Sequence, residues 1–402
     1  MIILFRRSNA CRSTCGRDLY PLSRHIKTWM RPLLLSTALL FVNAVFAEVG
    51  VTDREIVLGQ STALTGPLAP VGLEFSGAAK AYFEKINTEG GIHGRSIRLT
   101  TVDDAYVADK TAKNVAQLIE QEKVFALFGL LGVANTALAL PIATEARIPL
   151  LFPMNGEPTL RKVPNRYMFT LTAGFDDEIS KIVDHLSTIG VKRIAVAHFS
   201  NPFGNAIKAA AEQALEKKSL KLTASVSFDI SGSTTVAAAT QLSKIAPDAI
   251  IVGAVAAGAA DFISAYKKTG VNAQFLTFSG VGTDVLVKKL GPASAGIVVS
   301  QVVPYPWAPT NPLVRDYQAL MKARGRQEVS YLGMWGYISA RTTVEALRKT
   351  GKDLTREKLV TTLEGMRGLD LNRYLLDFSP SNHHGSRFVD ITMIGPNGKL
   401  LK

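Results

Sequence analysis

Apolar and polar positions follow two alternating rhythms along this chain. Short apolar runs at 56–58, 97–102, 125–128 and 150–152 predict strands. Between them, apolar residues fall three and four apart, as on one face of a helix. Val71, Phe75, Ala78, Ala79, Tyr82, Phe83 and Ile86 predict the first such helix, which Gly90 and Gly91 stop. Residues 111–121 and 135–146 predict the next two. After a break near 171–177 the rhythm repeats, with strands at 194–197, 222–228, 249–252 and 275–278. Helices alternate with them, starting from Ile179, Ile182, Val183, Leu186 and Ile189 and continuing at 206–215, 236–245 and 261–269. Such alternation calls for parallel sheets covered by helices on both faces. The expected fold class is therefore α/β, with two doubly wound, Rossmann-like lobes. Beyond Gly296 come a strand at 297–303, a segment with Pro304, Pro306, Pro309 and Pro312, and three helical stretches. This tail reads as a return to complete the first lobe.

The N-terminus has a different pattern. Arg31 precedes a mostly apolar run over 33–46, and Val45 and Ala47 give the small-residue spacing of a signal-peptidase site before Glu48. The run is shorter than the roughly 20 residues that span a bilayer, so residues 1–47 are expected to be a signal peptide and the mature protein periplasmic. A retained membrane anchor is the alternative. Residues 1–29 would make an unusually long charged leader, which a true start at Met30 explains. Cys11 and Cys15 both precede the cut, so no disulfide framework stabilises the rest.

Charge then changes less than it promises. The chain has 46 Lys/Arg against 33 Asp/Glu. Residues 1–47 take seven of those bases and one acid, leaving 39 against 32, a net charge of +7. These charges are scattered, without the clustered basic patch of a nucleic-acid binder. The 355 residues after the cut suggest about two domains, and no second long apolar run marks a membrane-embedded body.

In open parallel sheets ligands sit beyond the carboxyl ends of the strands, which directs attention to the turns at 62–71, 130–136, 153–157, 199–204, 253–258 and 278–283. No dinucleotide fingerprint, phosphate loop, HExxH or GxSxG elbow occurs there; Thr277 and Val281 stand where an elbow around Ser279 needs glycine. No catalytic residue, cofactor or metal site is expected. His383 and His384 read as a solvated turn beside Gly385, Asp103 and Asp104 as a turn opening a helix, and Asp176, Asp177 and Glu178 as acids gathered at a helix N-terminus. The turns offer binding features instead. Gly132, Val133, Ala134, Asn135 and Thr136 open a helix whose N–H groups suit an anion, or else are capped by Asn135 or Thr136. Met154, Asn155 and Gly156 expose backbone and one amide, Phe203 brings an aromatic ring, and Ala254 and Val255 leave room for apolar bulk.

The segments IVLGQSTALTGPLAPVGLEFSGAAKAYFEKINTEGGIHGRSIRLTTVDD, GLLGVANT, PLLFPMNGEP, VKRIAVAHFSNPFGNA, FLTFSGVGTDVL and GSRFVDITMIGPNG carry a resemblance over about 54–396. The chain resembles the periplasmic substrate-binding proteins of branched-chain amino-acid-type (Leu/Ile/Val-binding-like) ABC transporters, with the type I periplasmic-binding fold. The resemblance implies two lobes joined by three hinge crossovers, here 54–173 plus 302–378 and 174–301 plus 386–402. It also implies a small ligand trapped between them without turnover, usually by a monomer, and docking on a membrane permease driven by ATPase subunits. In amino-acid binders of that family a serine meets the ligand carboxylate where Val133 stands, and a threonine often occupies the place of Gly156. An acid that holds the ammonium corresponds to Ser279; aromatic contacts correspond to Val71 and Val255, while Phe203 keeps its ring. A buried ammonium without a carboxylate is costly, so the expected ligand is an apolar or aromatic carboxylate, the alternatives being a branched-chain amino acid or a sensing role. Tyr331, Trp335 and Trp307 are further candidates to stack on it or to pack the hinge.

Overall fold

A computed structural model describes residues 48–402 apart from 163, 326 and 327. The expected signal peptide lies outside the described residues. The first sheet is built from β1 (Glu55–Thr62), β2 (Ser96–Asp103), β3 (Ala126–Phe128), β4 (Leu150–Leu151) and β5 (Met168–Phe169), interleaved with α1 (Ala69–Thr88), α2 (Ala108–Glu120), α3 (Val133–Glu145) and the single turn α4 (Pro158–Arg161). Its order is β2-β1-β3-β4-β5, all parallel. β1 is an interior strand, buried along nearly its whole length: Ile56–Leu58 read as an apolar run, and the buried Gln60, Ser61 and Thr62 follow it.

The second half continues with α5 (Phe175–Thr188), β6 (Ile194–Phe199), α6 (Pro202–Glu216), β7 (Ala224–Phe228), α7 (Thr235–Ser243), β8 (Ala249–Gly253), α8 (Ala256–Lys267), β9 (Gln274–Thr277), α9 (Thr283–Leu290) and β10 (Val298–Gln301). The chain then returns through α10 (Pro312–Ala323), α11 (Tyr331–Thr350) and α12 (Arg356–Glu364), a small ladder of β11 (Leu369–Asp370) and β12 (Leu375–Leu376), and finally β13 (Asp390–Ile394) and β14 (Leu400–Leu401). The second sheet runs β14-β13-β10-β9-β8-β6-β7. It departs from the wholly parallel expectation, because β13 and β14 add antiparallel at one edge. A terminal hairpin needs no crossover helix, so it can close an edge that βα units leave open.

Two sheets with their helices give two α/β lobes, and the chain passes between them after β5, after β10 and after β12. α11 packs along α1, with Tyr337 of α11 edge-on to Tyr82 of α1 at 5.1 Å between ring centres. The opposite face of the first sheet is covered by α2 and α3 through Val115, Leu118, Ala139 and Ala143.

The adjacent histidines lie in the third crossover and are not a solvated turn. His383 is 1% exposed and stacks on Phe169 with ring centres 4.0 Å apart. His384 Nδ1 lies 2.7 Å from Thr170 Oγ1, and its Nε2 lies 2.8 Å from the Arg161 carbonyl. Burial, with Arg161 nearby, pulls His384 down to about 4. Backbone bonds from Thr170 N–H to the His383 carbonyl and from Gly385 N–H to the Thr170 carbonyl extend the first sheet by one more segment. Ring stacking and paired backbone groups bury this segment more effectively than its polar sequence suggests.

Candidate functional site

The carboxyl ends of both sheets face one cleft, and the loops there enclose a cavity of about 40 Å³. That is room for a few waters, so the walls are drawn closely together. The described residues form one compact unit, and both halves of it contribute to the cleft. From the first half come Leu68 and Val71 at the start of α1, Tyr106, the 131–133 and 154–156 loops, and Trp335 of α11. From the second come Phe175, Phe203, Val255 and the 278–280 turn.

Three phenylalanines dominate the second side. Phe175 meets Phe203 and Phe278 nearly edge-on, at 5.6 Å and 5.8 Å between centres, and Phe203 and Phe278 lie 5.3 Å apart. They reach this point from the start of α5, the first turn of α6 and the residue after β9. Edge-to-face contact of this kind is favourable beyond its buried area. On the facing side, Trp335 packs edge-on to Phe75 of α1 at 6.5 Å.

Tyr106 is placed by the two aspartates before it. Ala105 and Tyr106 both have left-handed backbone, with φ of 50° and 63°, a conformation that residues with side chains adopt only when held there. Asp103 Oδ1 accepts the Ala105 N–H at 2.9 Å, and Asp104 Oδ1 accepts the Tyr106 N–H at 2.8 Å. Asp103 also accepts from Leu64 N–H and the Thr65 hydroxyl, and the Thr65 bond above all holds its carboxyl down at about 2. Asp104 is fully buried, and the hydroxyls of Ser61 and Thr111 both donate to its Oδ2 at 2.8 Å. The pair is more than a turn before α2: it anchors the loop that turns Tyr106 to the cleft. Burial pushes the Tyr106 phenol up to about 12, so it stays neutral.

Two glycines make room here. Gly132 has φ of 107°, and a Cβ on it would lie 2.6 Å from the Tyr106 ring. A Cβ on Gly156 would lie 2.5 Å from the Phe175 ring. The place where the resemblance sets a threonine is thus taken up by Phe175.

Of the sequence candidates, Val71, Val133, Met154, Asn155, Gly156, Phe203, Val255 and Ser279 line the cavity, as does Trp335. Six, Trp307 among them, do not reach it. Asn135 is buried behind the loop and donates to Thr111 Oγ1 at 2.6 Å; the Thr136 hydroxyl donates to the Gly132 carbonyl at 2.7 Å. Neither caps α3, whose N-terminus carries no side-chain cap. Ala134, on the same turn, does not line the cavity, and Ala254 is wholly buried in the core. Tyr331 packs with Trp307 and Tyr305 at 5.7 Å and 6.3 Å, on the hinge side. Leu68, Tyr106, Leu131, Phe175 and Phe278 are cavity residues that the sequence reading missed. Phe175 and Phe278 each end an apolar pattern at a strand or helix terminus, which was the available signal.

Ser279 has a partner that the sequence reading placed only at a helix end. Its N–H donates to Glu178 Oε2 at 2.9 Å, and its hydroxyl to Glu178 Oε1 at 3.0 Å. Ser300 adds a third donor to Oε2 at 2.7 Å. Glu178 is 2% exposed, and burial raises it to about 7.

An apolar, aromatic-walled cleft between two α/β lobes, with a few polar groups at its rim, defines a ligand-binding protein of the two-lobed kind. The chain belongs to the periplasmic binding protein family, whose model matches residues 55–399. The Leu/Ile/Val-binding protein of Escherichia coli strain K12 is 27% identical over 321 residues, covering 77% of this chain and 82% of that one. An amino acid binding protein of Pseudomonas aeruginosa is 25% identical over 239 residues, and the match spans 59% of this chain and 64% of that relative. Among solved structures, a substrate-binding periplasmic protein from Ralstonia solanacearum has 30% identity and a TM-score of 0.82, over 86% of this chain and 99% of that one. The type I periplasmic-binding fold expected from the sequence is the fold observed.

Proposed function

We propose that the mature protein works in the periplasm, where it captures a small apolar or aromatic carboxylate and delivers it to an ABC import permease with its ATPase subunits. The observation that carries this reading is the wall of Phe175, Phe203, Phe278 and Trp335, with a serine where amino-acid binders of the resembling family place an acid. The uncapped N-terminus of α3, opened by Gly132, is the element suited to the carboxylate. Because only about 40 Å³ is free, the lobes part to admit the ligand and close over it, with the crossovers absorbing the motion. The ligand leaves unchanged, in keeping with relatives that are binding proteins.

A second reading, a free branched-chain amino acid, draws support from Glu178, whose carboxylate lies one hydrogen bond behind Ser279. A thermal-shift panel separates the two. Carboxylates such as 4-methylpentanoate and 3-phenylpropanoate are expected to raise the melting temperature, and leucine and isoleucine to leave it in place. A shift with leucine and none with the carboxylates would overturn the first reading in favour of the second.

A further inference from the structure

Glu178 collects protons from every side. Both Ser279 donors and the Ser300 hydroxyl converge on its two oxygens, at 2.7–3.0 Å. A serine hydroxyl has one proton and two lone pairs. Ser279 spends that proton inward on Glu178, so its hydroxyl oxygen has only lone pairs left to offer. Ser279 is therefore an acceptor in the lining of a mostly apolar cleft. An ammonium would bring three protons to this one acceptor, whereas a hydroxyl brings one.

We infer that the ligand is a hydroxylated carboxylate whose O–H donates to Ser279 Oγ, and that Glu178 is the positioning residue that keeps Ser279 an acceptor. This rests on the carboxylate reading above. Glu178 acts through Ser279 and does not itself line the cavity.

Few charges compete for Glu178. Asp177, its neighbour on α5, pairs with Arg387 at 3.1 Å, and Arg161 of α4 donates to the Thr172 carbonyl. On α6, Lys208 and Glu212 pair with each other at 3.0 Å, and Asp390 on β13 pairs with Lys402. Burial is thus the main influence on the carboxyl, and it gains a proton near neutral pH. Oε2 already takes two donors, so a proton gained by Glu178 goes to Oε1, which then donates to Ser279 Oγ. That turns the Ser279 proton to the cleft, where a ligand oxygen without a proton is then held as well as a hydroxyl.

Calorimetric titration of the mature chain tests this with three matched pairs. They are 4-methylpentanoate and 2-hydroxy-4-methylpentanoate, benzoate and 4-hydroxybenzoate, and 3-phenylpropanoate and 3-(4-hydroxyphenyl)propanoate. At pH 8 the hydroxylated member of at least one pair binds about 2- to 10-fold tighter, the usual range for one hydrogen bond. The advantage disappears in Ser279→Ala at either pH. An ether, 4-methoxybenzoate, accepts without donating: it trails 4-hydroxybenzoate at pH 8 and closes the gap at pH 5.5 and in Glu178→Gln at pH 8. The Ser279→Ala and pH comparisons stand even where Glu178→Gln fails to fold. Equal binding within every pair overturns the inference and leaves the carboxylate reading in place, as does an advantage that survives Ser279→Ala or an ether gap that ignores pH. Failure of every probe to bind overturns both.

Discussion

Asp104 and Tyr106 are tied together across two residues: the aspartate Oδ1 takes the tyrosine N–H at 2.8 Å while its Oδ2 takes two hydroxyls from other elements. The bond to Tyr106 sustains a left-handed tyrosine, and the Ser61 and Thr111 bonds fix the loop to β1 and α2. Asp104→Ala leaves both hydroxyls without their acceptor and frees the loop. Urea unfolding is expected to show a loss of about 1–3 kcal/mol, with weaker binding of the panel carboxylates. Asp104→Asn keeps an Oδ1 for Tyr106, and the hydroxyls can turn to meet its amide, so its cost is smaller. Equal stability of Asp104→Ala and the wild type would show that the loop stands without the anchor.

Val255 and Ala254 look interchangeable in sequence and are not. Val255, just ahead of α8, lines the cavity, whereas Ala254 is fully buried. Val255→Phe should fill the cleft and abolish carboxylate binding while the melting temperature stays within a few degrees. Ala254→Phe should overpack the core and lose about 1–3 kcal/mol or more. Unchanged affinity in Val255→Phe would remove Val255 from the binding wall.

Gly156 and Phe175 compete for one volume. A threonine at 156 would press its Cβ to 2.5 Å from the Phe175 ring, so Gly156→Thr must displace the ring or the backbone, at a cost of about 1–3 kcal/mol. Adding Phe175→Ala removes the ring from that volume, although a Cβ would still lie 2.9 Å from the residue 175 backbone nitrogen, and the double variant should therefore lose less than the sum of the two single changes. Additive losses in denaturant titrations would place the strain elsewhere.

The strand and helix rhythm was legible because β6 and β8 are buried on both faces and so appear as mostly apolar runs, as does the first half of β1. The terminal hairpin was not, since β13 is half exposed and mixes polar with apolar positions. At the site, turns after strands pointed to Val71, Met154 and Ser279, but could not separate residues facing the cleft from those facing the core one position away, as with Val255 and Ala254. Glu178 was hidden by its neighbours. Asp176 and Asp177 make it resemble one more acid at a helix start, yet it falls on the buried stripe with Phe175, Ile179 and Ile182. That placement on the apolar face was the available clue. Tyr106 left no periodic trace, because hydrogen bonds to two aspartates fix its backbone, not a regular element.

Glu178 also predicts how stability changes with pH. In the folded chain it keeps its proton up to about 7, against an ordinary 4.5. Between those values the folded state holds a proton that the unfolded chain releases, so this contribution is full below about 4.5 and fades as pH rises through 7. His384 has the opposite sign, because its folded value is held down to about 4 from 6.5, and its stabilising effect is complete by pH 6.5 or so. Asp103, held at about 2, matters only in acid. From pH 6.5 to 8, then, Glu178 governs the slope among these three groups, and the melting temperature of the unliganded protein should fall. Glu178→Gln has an amide that does not titrate, so its profile over that interval should be flatter than that of the wild type. Scanning calorimetry across the interval measures the difference, and superimposable profiles would mean that Glu178 does not hold a proton at neutral pH in the folded chain.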